Sequence, residues 1–122
     1  MDTESHPNPA TMFTVMHTSQ DFDAALEASY EKPIVIFKHS ATCPFSAAAQ
    51  VEVANAKHDI DIYGIVLQYT GDLKTEIAEK LEVEHKSPQT IIVHEGKAIS
   101  HQWRDEIQES ELKQEVGRLS EE

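Results

Sequence analysis

The sequence predicts an α/β domain with a central mixed sheet flanked by helices, in the order β-α-β-α-β-α-β-β-α. Three observations predict this class. Apolar residues at helical spacing alternate along the chain with short apolar runs, which is the pattern of helices between strands. The run IVIFK, residues 34–38, is typical of a strand covered on both faces. Near the C-terminus, two further strand-like runs flank the dipeptide Glu95-Gly96, which predicts an antiparallel hairpin.

A short strand and a helix are predicted before this buried strand. Met12–Met16 is the candidate for the first strand. Thr18, with Asp21 three residues later, forms a capping-box pattern that begins a helix. Apolar residues recur at helical spacing over Ser19–Tyr30, so the helix is predicted to cover that range.

A second helix is predicted shortly after the buried strand. Pro44 favours the first turn of a helix, where its missing N–H has no partner to lose. Cys43 is therefore the predicted N-cap residue. The apolar residues expected on one face of this helix are Ala47, Ala48, Val51 and Ala54.

The remaining elements are predicted from apolar residues at helical spacing and from short apolar runs. In the hairpin, a two-residue turn pairs His94 with Lys97 and places His101 opposite Thr90. The predicted elements are a strand at Ile60–Tyr69, a helix capped by Asp72 with Leu73, Ile77 and Leu81 on one face, strands at Thr90–His94 and Lys97–Trp103, and a closing helix marked by Leu112, Val116 and Leu119.

Composition limits the kinds of partner that this chain can have. Its 122 residues are enough for one domain with a real core, and we predict a flexible tail at residues 1–11 before a domain at residues 12–122. With 22 acidic and 10 basic residues, the net charge of −12 argues against nucleic acid or an anionic membrane as partner. The opening MDTESHPNPATMFTV lacks the layout of a signal peptide, and no apolar run is long enough to span a bilayer. A single cysteine cannot form an internal disulfide, so the expected location is the reducing cytoplasm.

That single cysteine, Cys43, lies at the predicted strand-to-helix junction in the stretch HSATCPFSAA. The first N–H groups of a helix lack internal partners and the helix dipole is positive there, so a thiolate at this position is stabilised. We therefore interpret Cys43 as a nucleophile rather than an inert packing residue. Lys38 and His39 lie just upstream and are candidates for tuning the thiolate. Ser46 can donate a hydrogen bond to it but cannot resolve a disulfide.

The strand, the TCPFS turn, the following helix and the later SPQ before a hairpin strand together resemble the thioredoxin fold. Within that fold, the Thr-Cys-Pro-x-Ser motif is similar to that of the monothiol bacilliredoxin (YtxJ-like) family. The resemblance extends from about Phe13 to Leu119, and Phe45 stands where isoleucine is expected. It implies a thioredoxin-like fold and an active-site loop made of Thr42, Cys43, Pro44, Phe45 and Ser46.

The resemblance also implies roles for individual residues. Cys43 is the redox nucleophile, Pro88 is a cis proline facing the cysteine loop, and the backbone of Ser87 pairs with the substrate. The implied reaction removes a low-molecular-weight thiol, bacillithiol in that family, from a mixed disulfide on a client protein. The small thiol is a co-substrate, and no tightly bound cofactor is expected.

Two alternatives stay open at the level of sequence. A monothiol glutaredoxin carries Cys-Gly-Phe-Ser and can share an iron–sulfur cluster between subunits, but Pro44 replaces its glycine and stiffens the turn. A thioredoxin-fold interaction module would use the same groove without redox turnover. A metal site is not indicated, because one cysteine and seven dispersed histidines do not form a zinc signature. Trp103, Tyr63 and Tyr69 are expected to pack beside the sheet.

Overall fold

A computed structural model of the chain describes residues 13–40, 44–56, 60–67 and 71–120. The predicted order of strands and helices is confirmed, and the predicted tail at residues 1–11 lies outside the described residues. A 3₁₀ turn, Arg104–Glu106, was not predicted. The strands are β1 (Phe13–Val15), β2 (Ile34–His39), β3 (Asp61–Val66), β4 (Gln89–His94) and β5 (Lys97–Trp103), and the helices are α1 (Ser19–Ala28), α2 (Pro44–Ala56), α3 (Leu73–Leu81) and α4 (Glu109–Ser120).

The five strands form one mixed sheet in the order β1-β3-β2-β4-β5. Strand β3 is parallel to both β1 and β2, whereas β4 is antiparallel to β2 and to β5. Strand β2 is therefore central, and every residue from Ile34 to His39 is buried. This explains its continuous apolar run, because a strand covered on both faces has no solvent side to mark with polar residues.

Two hydrophobic cores lie on opposite faces of the sheet. Ile34 and Ile36 of β2 face helices α1 and α3, whereas Val35 and Phe37 face α2 and α4. The predicted apolar stripes of two helices are confirmed, since the buried residues are Leu73, Ile77 and Leu81 in α3 and Leu112, Val116 and Leu119 in α4.

The start of α1 is formed as the sequence predicts. The Thr18 hydroxyl accepts a hydrogen bond from Asp21 N at 3.2 Å, and the Asp21 carboxylate accepts one from Thr18 N at 3.2 Å. The same carboxylate accepts from His17 N at 2.7 Å, which is the largest cause of its lowered pKa. The helix ends at Ala28 rather than at Tyr30, because the chain must leave the helical region before Pro33. At α3, Asp72 is the N-cap residue as predicted, but its side chain makes no capping hydrogen bond.

The predicted buried face of α2 is wrong. The side chains that pack against the sheet are those of Ala49, Val53 and Ala56, whereas Val51 is 58% exposed. Alanine and valine occur all around this helix, so its apolar pattern fits two different faces and spacing cannot choose between them.

The register of the β4–β5 hairpin differs by one residue from the prediction. His94 pairs with Lys97 as predicted, but His101 lies opposite Ile91 and not opposite Thr90. The ladder shifts between Ile92 and Val93, because Ile99 is an extra residue that has no partner on β4. Such a β-bulge is compatible with a β-branched residue and leaves no composition signal in the sequence.

The hairpin turn is fixed to the C-terminal end of α1 through one buried serine. The carbonyl of Ser29 accepts a hydrogen bond from Glu95 N at 2.8 Å, and its hydroxyl accepts one from Gly96 N at 2.9 Å. The hydroxyl also donates to the carbonyl of Leu26 at 2.5 Å. Gly96 has φ of +77°, a conformation that favours glycine, so the turn depends on both residues.

Ser29→Ala is expected to destabilise the protein by about 1–3 kcal/mol, because it leaves the Gly96 N–H without its partner in a part-buried position. Urea unfolding measures this loss. The matched control is Ser110→Ala on the exposed side of α4, which is expected to change stability by less than about 0.5 kcal/mol. Equal effects of the two substitutions would contradict the proposed role of Ser29.

Candidate functional site

The predicted cysteine loop connects β2 to α2 at one end of the sheet. Strand β2 ends at His39 and helix α2 begins at Pro44, so the predicted position of Pro44 in the first helical turn is confirmed. Thr42 and Cys43 lie outside the described residues, as do the side chains of Phe45 and Ser46. The assigned roles of these residues therefore stay predictions, whereas the two elements that flank them are in place.

The second half of the predicted site lies at the same end of the sheet. The Ser87–Pro88 peptide bond is cis, as the resemblance implies, and it immediately precedes β4. Because Lys38 pairs with Gln89 in antiparallel register, Pro88 lies next to the end of β2 from which the cysteine loop departs. The structure thus brings together two segments that are about 45 residues apart in the sequence. The Ser87 hydroxyl is buried and has no hydrogen-bond partner in the described part of the chain.

Lys38 is fully buried at the end of β2. Strand alternation places its side chain on the same face as Ile36, toward α1 and α3. Its Nζ lies 3.2 Å from Nδ1 of His85, and no carboxylate among the described residues forms an ion pair with it. Burial lowers the pKa of Lys38 from 10.5 to about 8. The side chain therefore keeps most of its positive charge at pH 7 without an acidic partner.

His85 is the residue of this site that sequence analysis did not single out. It lies in the segment between α3 and β4, and a protonated Lys38 donates to its Nδ1, which places the imidazole proton on Nε2. Burial and the positive charges of Lys38 and Lys74 lower the pKa of His85. The available signal was its position three residues before Pro88, but seven scattered histidines gave no reason to choose it.

His39 lies on the opposite face of the sheet from Lys38. It is 9% exposed, and its ring stacks on that of Phe37 with a centroid distance of 4.8 Å and an interplanar angle of 16°. Burial lowers the pKa of His39, so its imidazole is neutral at pH 7. Of the two predicted tuning residues, Lys38 is therefore the one that carries positive charge.

The three aromatic residues expected beside the sheet have different surroundings. Tyr63 packs against the core formed with α1 and α3, as predicted. Its pKa is raised, chiefly by burial and also by the charge of Asp61. Trp103 is half-buried and belongs to neither core, so the prediction of core packing is wrong for this residue. Tyr69 lies outside the described residues.

The described residues contain neither a cluster of metal ligands nor a membrane-spanning helix. They contain no group of three or more histidine, cysteine, aspartate or glutamate side chains that could hold a metal ion. Within the same parts of the chain, no helix is both long and apolar enough to cross a bilayer.

Comparison with known proteins agrees with this geometry. A solved structure of a protein assigned as an oxidoreductase with a thioredoxin fold is 29% identical, with a TM-score of 0.78, over 87% of this chain and 95% of that one. Thioredoxin from Fasciola hepatica is 18% identical with a TM-score of 0.67, over 88% of this chain and 99% of that one. Thioredoxin from Trypanosoma brucei brucei is 14% identical with a TM-score of 0.72, and both chains are covered completely. The fold is therefore thioredoxin-like, as predicted.

A family model places the chain more narrowly within this fold. The model of the monothiol bacilliredoxin BrxC matches residues 14–112, which include most of β1, the cysteine loop and the whole hairpin. Together with the thioredoxin-fold oxidoreductase, this match supports thiol oxidoreductase activity. The chain belongs to the monothiol bacilliredoxin family.

Proposed function

We propose that this protein is a monothiol thiol–disulfide oxidoreductase that removes a low-molecular-weight thiol, bacillithiol, from mixed disulfides on client proteins through Cys43. One observation carries the proposal. The only cysteine of the chain directly precedes helix α2, at the end of the sheet where the Ser87–Pro88 segment lies, and Ser46 occupies the position of a second cysteine.

The first step is an exchange of one disulfide for another. The Cys43 thiolate attacks the sulfur of the small thiol, a new S–S bond forms, and the client sulfur leaves as a thiolate that takes up a proton from solvent. The client is thereby reduced, and the small thiol is held on Cys43 as a mixed disulfide. The protein and the modified client together neither gain nor lose electrons in this step.

The second step needs a reductant from outside the chain. Because Ser46 cannot attack a disulfide, a second free small thiol or another reductase displaces the adduct and restores the Cys43 thiolate. When a small thiol does this, the released product is a low-molecular-weight disulfide. The small thiol is a co-substrate in this scheme, and no tightly bound cofactor is required.

The surroundings of Cys43 support its activation. The N–H groups and the dipole at the start of α2 favour a thiolate, and the buried charge of Lys38 adds positive potential from the end of β2. Thr42, Pro44, Phe45 and Ser46 form the proposed active-site loop with Cys43, and the backbone of Ser87 is the proposed partner of the client. Such chemistry suits the reducing cytoplasm, which is the proposed location.

A transfer assay followed by mass spectrometry tests the proposal. Reduced protein is mixed with a client that carries a bacillithiol mixed disulfide and, in parallel, with the same client carrying glutathione. We expect the bacillithiol mass to move to Cys43 and to move faster than that of glutathione. Faster transfer of glutathione would favour a glutaredoxin-like protein, and no transfer of either would favour an interaction module without redox turnover.

A further inference from the structure

A contact between two basic side chains joins the central strand to residues 84–87, the segment that leads into Pro88 and β4. Nζ of Lys38 on β2 lies 3.2 Å from Nδ1 of His85 in that segment. Lys38 is fully buried, whereas His85 is half-buried. Neither side chain forms an ion pair with an acid among the described residues. The contact is therefore a hydrogen bond between two groups that can both carry positive charge.

This contact accommodates one ionising proton and not two. With Lys38 protonated and His85 neutral, the ammonium donates to the lone pair of Nδ1. A second proton binds to that same nitrogen, because the other ring nitrogen already carries one. Two positively charged donors then face each other, and no hydrogen bond can join them. Protonation of His85 therefore breaks the contact.

The charges next to His85 oppose its protonation. Burial is the largest cause of its lowered pKa, and the positive charges of Lys38 on β2 and Lys74 on α3 lower it further. Within the segment, the ammonium of Lys86 lies over the Trp103 ring of β5, and the carboxylate of Glu84 forms no ion pair with a described residue. The contact is therefore intact at neutral pH and is expected to break below pH 6.5, the ordinary pKa of histidine.

When the contact breaks, the side that moves is the segment and not the strand. Strand β2 pairs with β3 on one side and β4 on the other, so Lys38 is held in place. The segment is held by Gln89, whose side chain donates to the carbonyl of Glu84 at 3.1 Å and accepts from Lys86 N at 3.4 Å. The second distance exceeds the usual range for such bonds and marks a weak one. The imidazole can therefore turn toward solvent, and Lys86 is the neighbour expected to loosen with it.

The end of the segment next to β4 stays fixed. The carbonyl of Pro88 accepts a hydrogen bond from Arg104 N at 3.1 Å, and Gln89 pairs with Trp103 across β4 and β5. Movement is thus confined to the residues before Pro88. Trp103 keeps its place in the sheet while Lys86 moves relative to it.

We propose that Lys38 and His85 form an acid-sensitive latch, which holds residues 84–87 against the sheet at neutral pH and releases them when His85 is protonated. The segment ends at Ser87, whose backbone is the proposed partner of the client. Its release is therefore expected to weaken client binding in acid. This consequence rests on the proposed function, whereas the latch itself does not.

The single tryptophan of the chain reports on the latch. The ring of Trp103 lies 4.6 Å from Nζ of Lys86, the residue after His85, so movement of Lys86 changes the charge beside the ring and its fluorescence. We expect a fluorescence transition below pH 6.5, with the same midpoint as the His85 titration followed by NMR. His85→Gln still offers an acceptor to Lys38 but does not titrate. Its fluorescence is therefore expected to stay constant over this range.

Two other titratable side chains near Trp103 provide matched controls. His101 lies two residues before Trp103 on β5, and the Glu106 carboxylate accepts a hydrogen bond from Trp103 N at 2.9 Å. His101→Gln and Glu106→Gln are each expected to keep the wild-type transition. Lys38→Met is expected to abolish it, because the latch then has no donor, and to raise the pKa of His85, because one positive charge is removed.

Hydrogen exchange followed by mass spectrometry locates the movement. Below the midpoint, amides of residues 84–87 are expected to exchange about tenfold faster after correction for the intrinsic effect of pH. The turn at Gly96, which is fixed to Ser29 at the other end of the hairpin, is expected to keep its rate. In His85→Gln neither rate is expected to change across the same range.

The consequence for clients is measured as a ratio of two rates in the same protein. One is the transfer of a small thiol from a client mixed disulfide, and the other is the reaction with mercaptoethanol disulfide, which presents no peptide to the segment. In both reactions the Cys43 thiolate attacks one sulfur and releases the other half as a thiol, so its ionisation cancels in the ratio. The ratio is expected to fall about tenfold below the His85 midpoint in wild type and to stay constant in His85→Gln.

Three results would overturn the inference. The first is the absence of a fluorescence transition in wild type, and the second is a transition that His85→Gln retains. The third is a client ratio that stays constant in wild type through the transition. If no disulfide modifies Cys43 at all, the proposed function fails, whereas fluorescence and hydrogen exchange still decide whether the latch exists.

Discussion

Cys43→Ser is expected to lower the rate of small-thiol transfer by at least about a thousandfold, the scale of loss that follows removal of an enzyme's nucleophile. No other sulfur nucleophile of the cysteine type exists in the chain, and a serine hydroxyl is not ionised at neutral pH. The transfer assay with the bacillithiol-modified client measures the rate. If Cys43→Ser transferred the small thiol at the wild-type rate, the reaction would not pass through Cys43.

Ser46→Cys tests the same scheme by adding the thiol that the chain lacks. The new cysteine is three residues after Cys43, which is the spacing of dithiol redox motifs. We expect it to attack the Cys43 adduct, release the small thiol and leave an intramolecular disulfide. The control is Ser110→Cys, which adds an exposed thiol on α4, away from that spacing. Mass spectrometry distinguishes the outcomes, and an adduct equally long-lived in both variants would contradict the proposal.

Lys38→Met is expected to make the protein more stable at pH 7 by about 1–2 kcal/mol. Replacing a buried charge that has no acidic partner by an apolar side chain of similar volume removes a desolvation penalty, although the contact with His85 is lost. The pKa of Lys38 is about 8 in the folded protein and 10.5 in the unfolded chain. Below pH 8 the folded state therefore carries the whole penalty, and between pH 8 and 10.5 deprotonation relieves it.

The stability gap between Lys38→Met and wild type is thus expected to shrink as the pH rises, by about 1–2 kcal/mol between pH 7 and pH 9.5. Urea unfolding at both pH values measures it, and comparison with wild type cancels the titration of other groups such as Tyr63. Lys97→Met, at an exposed position, is the control and is expected to show no such trend. A gap that does not change with pH would show that Lys38 titrates normally.

The same variant is expected to weaken the thiol as a nucleophile. Removing one positive charge from the strand that leads into the cysteine loop should raise the pKa of Cys43 by roughly half to one unit. The rate of alkylation by iodoacetamide as a function of pH measures this shift. An unchanged profile would exclude Lys38 as a tuning residue and leave the start of α2 as the source of activation. Stability and reactivity are therefore expected to change in opposite directions.

The sequence predicted the elements of this fold better than their mutual contacts. Order, hairpin turn and helix caps follow from local signals, such as Thr18 with Asp21, which act over a few residues. The buried face of α2 could not be predicted, because Ala49 and Val51 are equally apolar and only the sheet beneath the helix distinguishes them. The bulge at Ile99 likewise depends on contacts at both ends of the hairpin.

The candidate site shows the same division. The strand-to-helix junction was predicted from Cys43 and Pro44, which carry strong local preferences, whereas the role of Pro88 was implied by the family resemblance. The contact between Lys38 and His85 was not predicted, because it joins residues that are 47 positions apart in the sequence. In addition, a lysine within a strand usually marks a solvent-facing position. Burial of Lys38 is a property of the assembled sheet, since it requires β2 to be central.

The bulge in β5 lets the two ends of the hairpin satisfy separate requirements. The turn is fixed at Ser29, and the far end is fixed where Arg104 bonds to Pro88. Without the extra residue, the strand pairing that begins at the turn would continue unchanged to the other end of the hairpin. It would then place Gln102, not Trp103, opposite Gln89. Ile99 absorbs that difference of one residue. The position of Trp103 opposite Gln89 therefore depends on the bulge at Ile99 as well as on the turn.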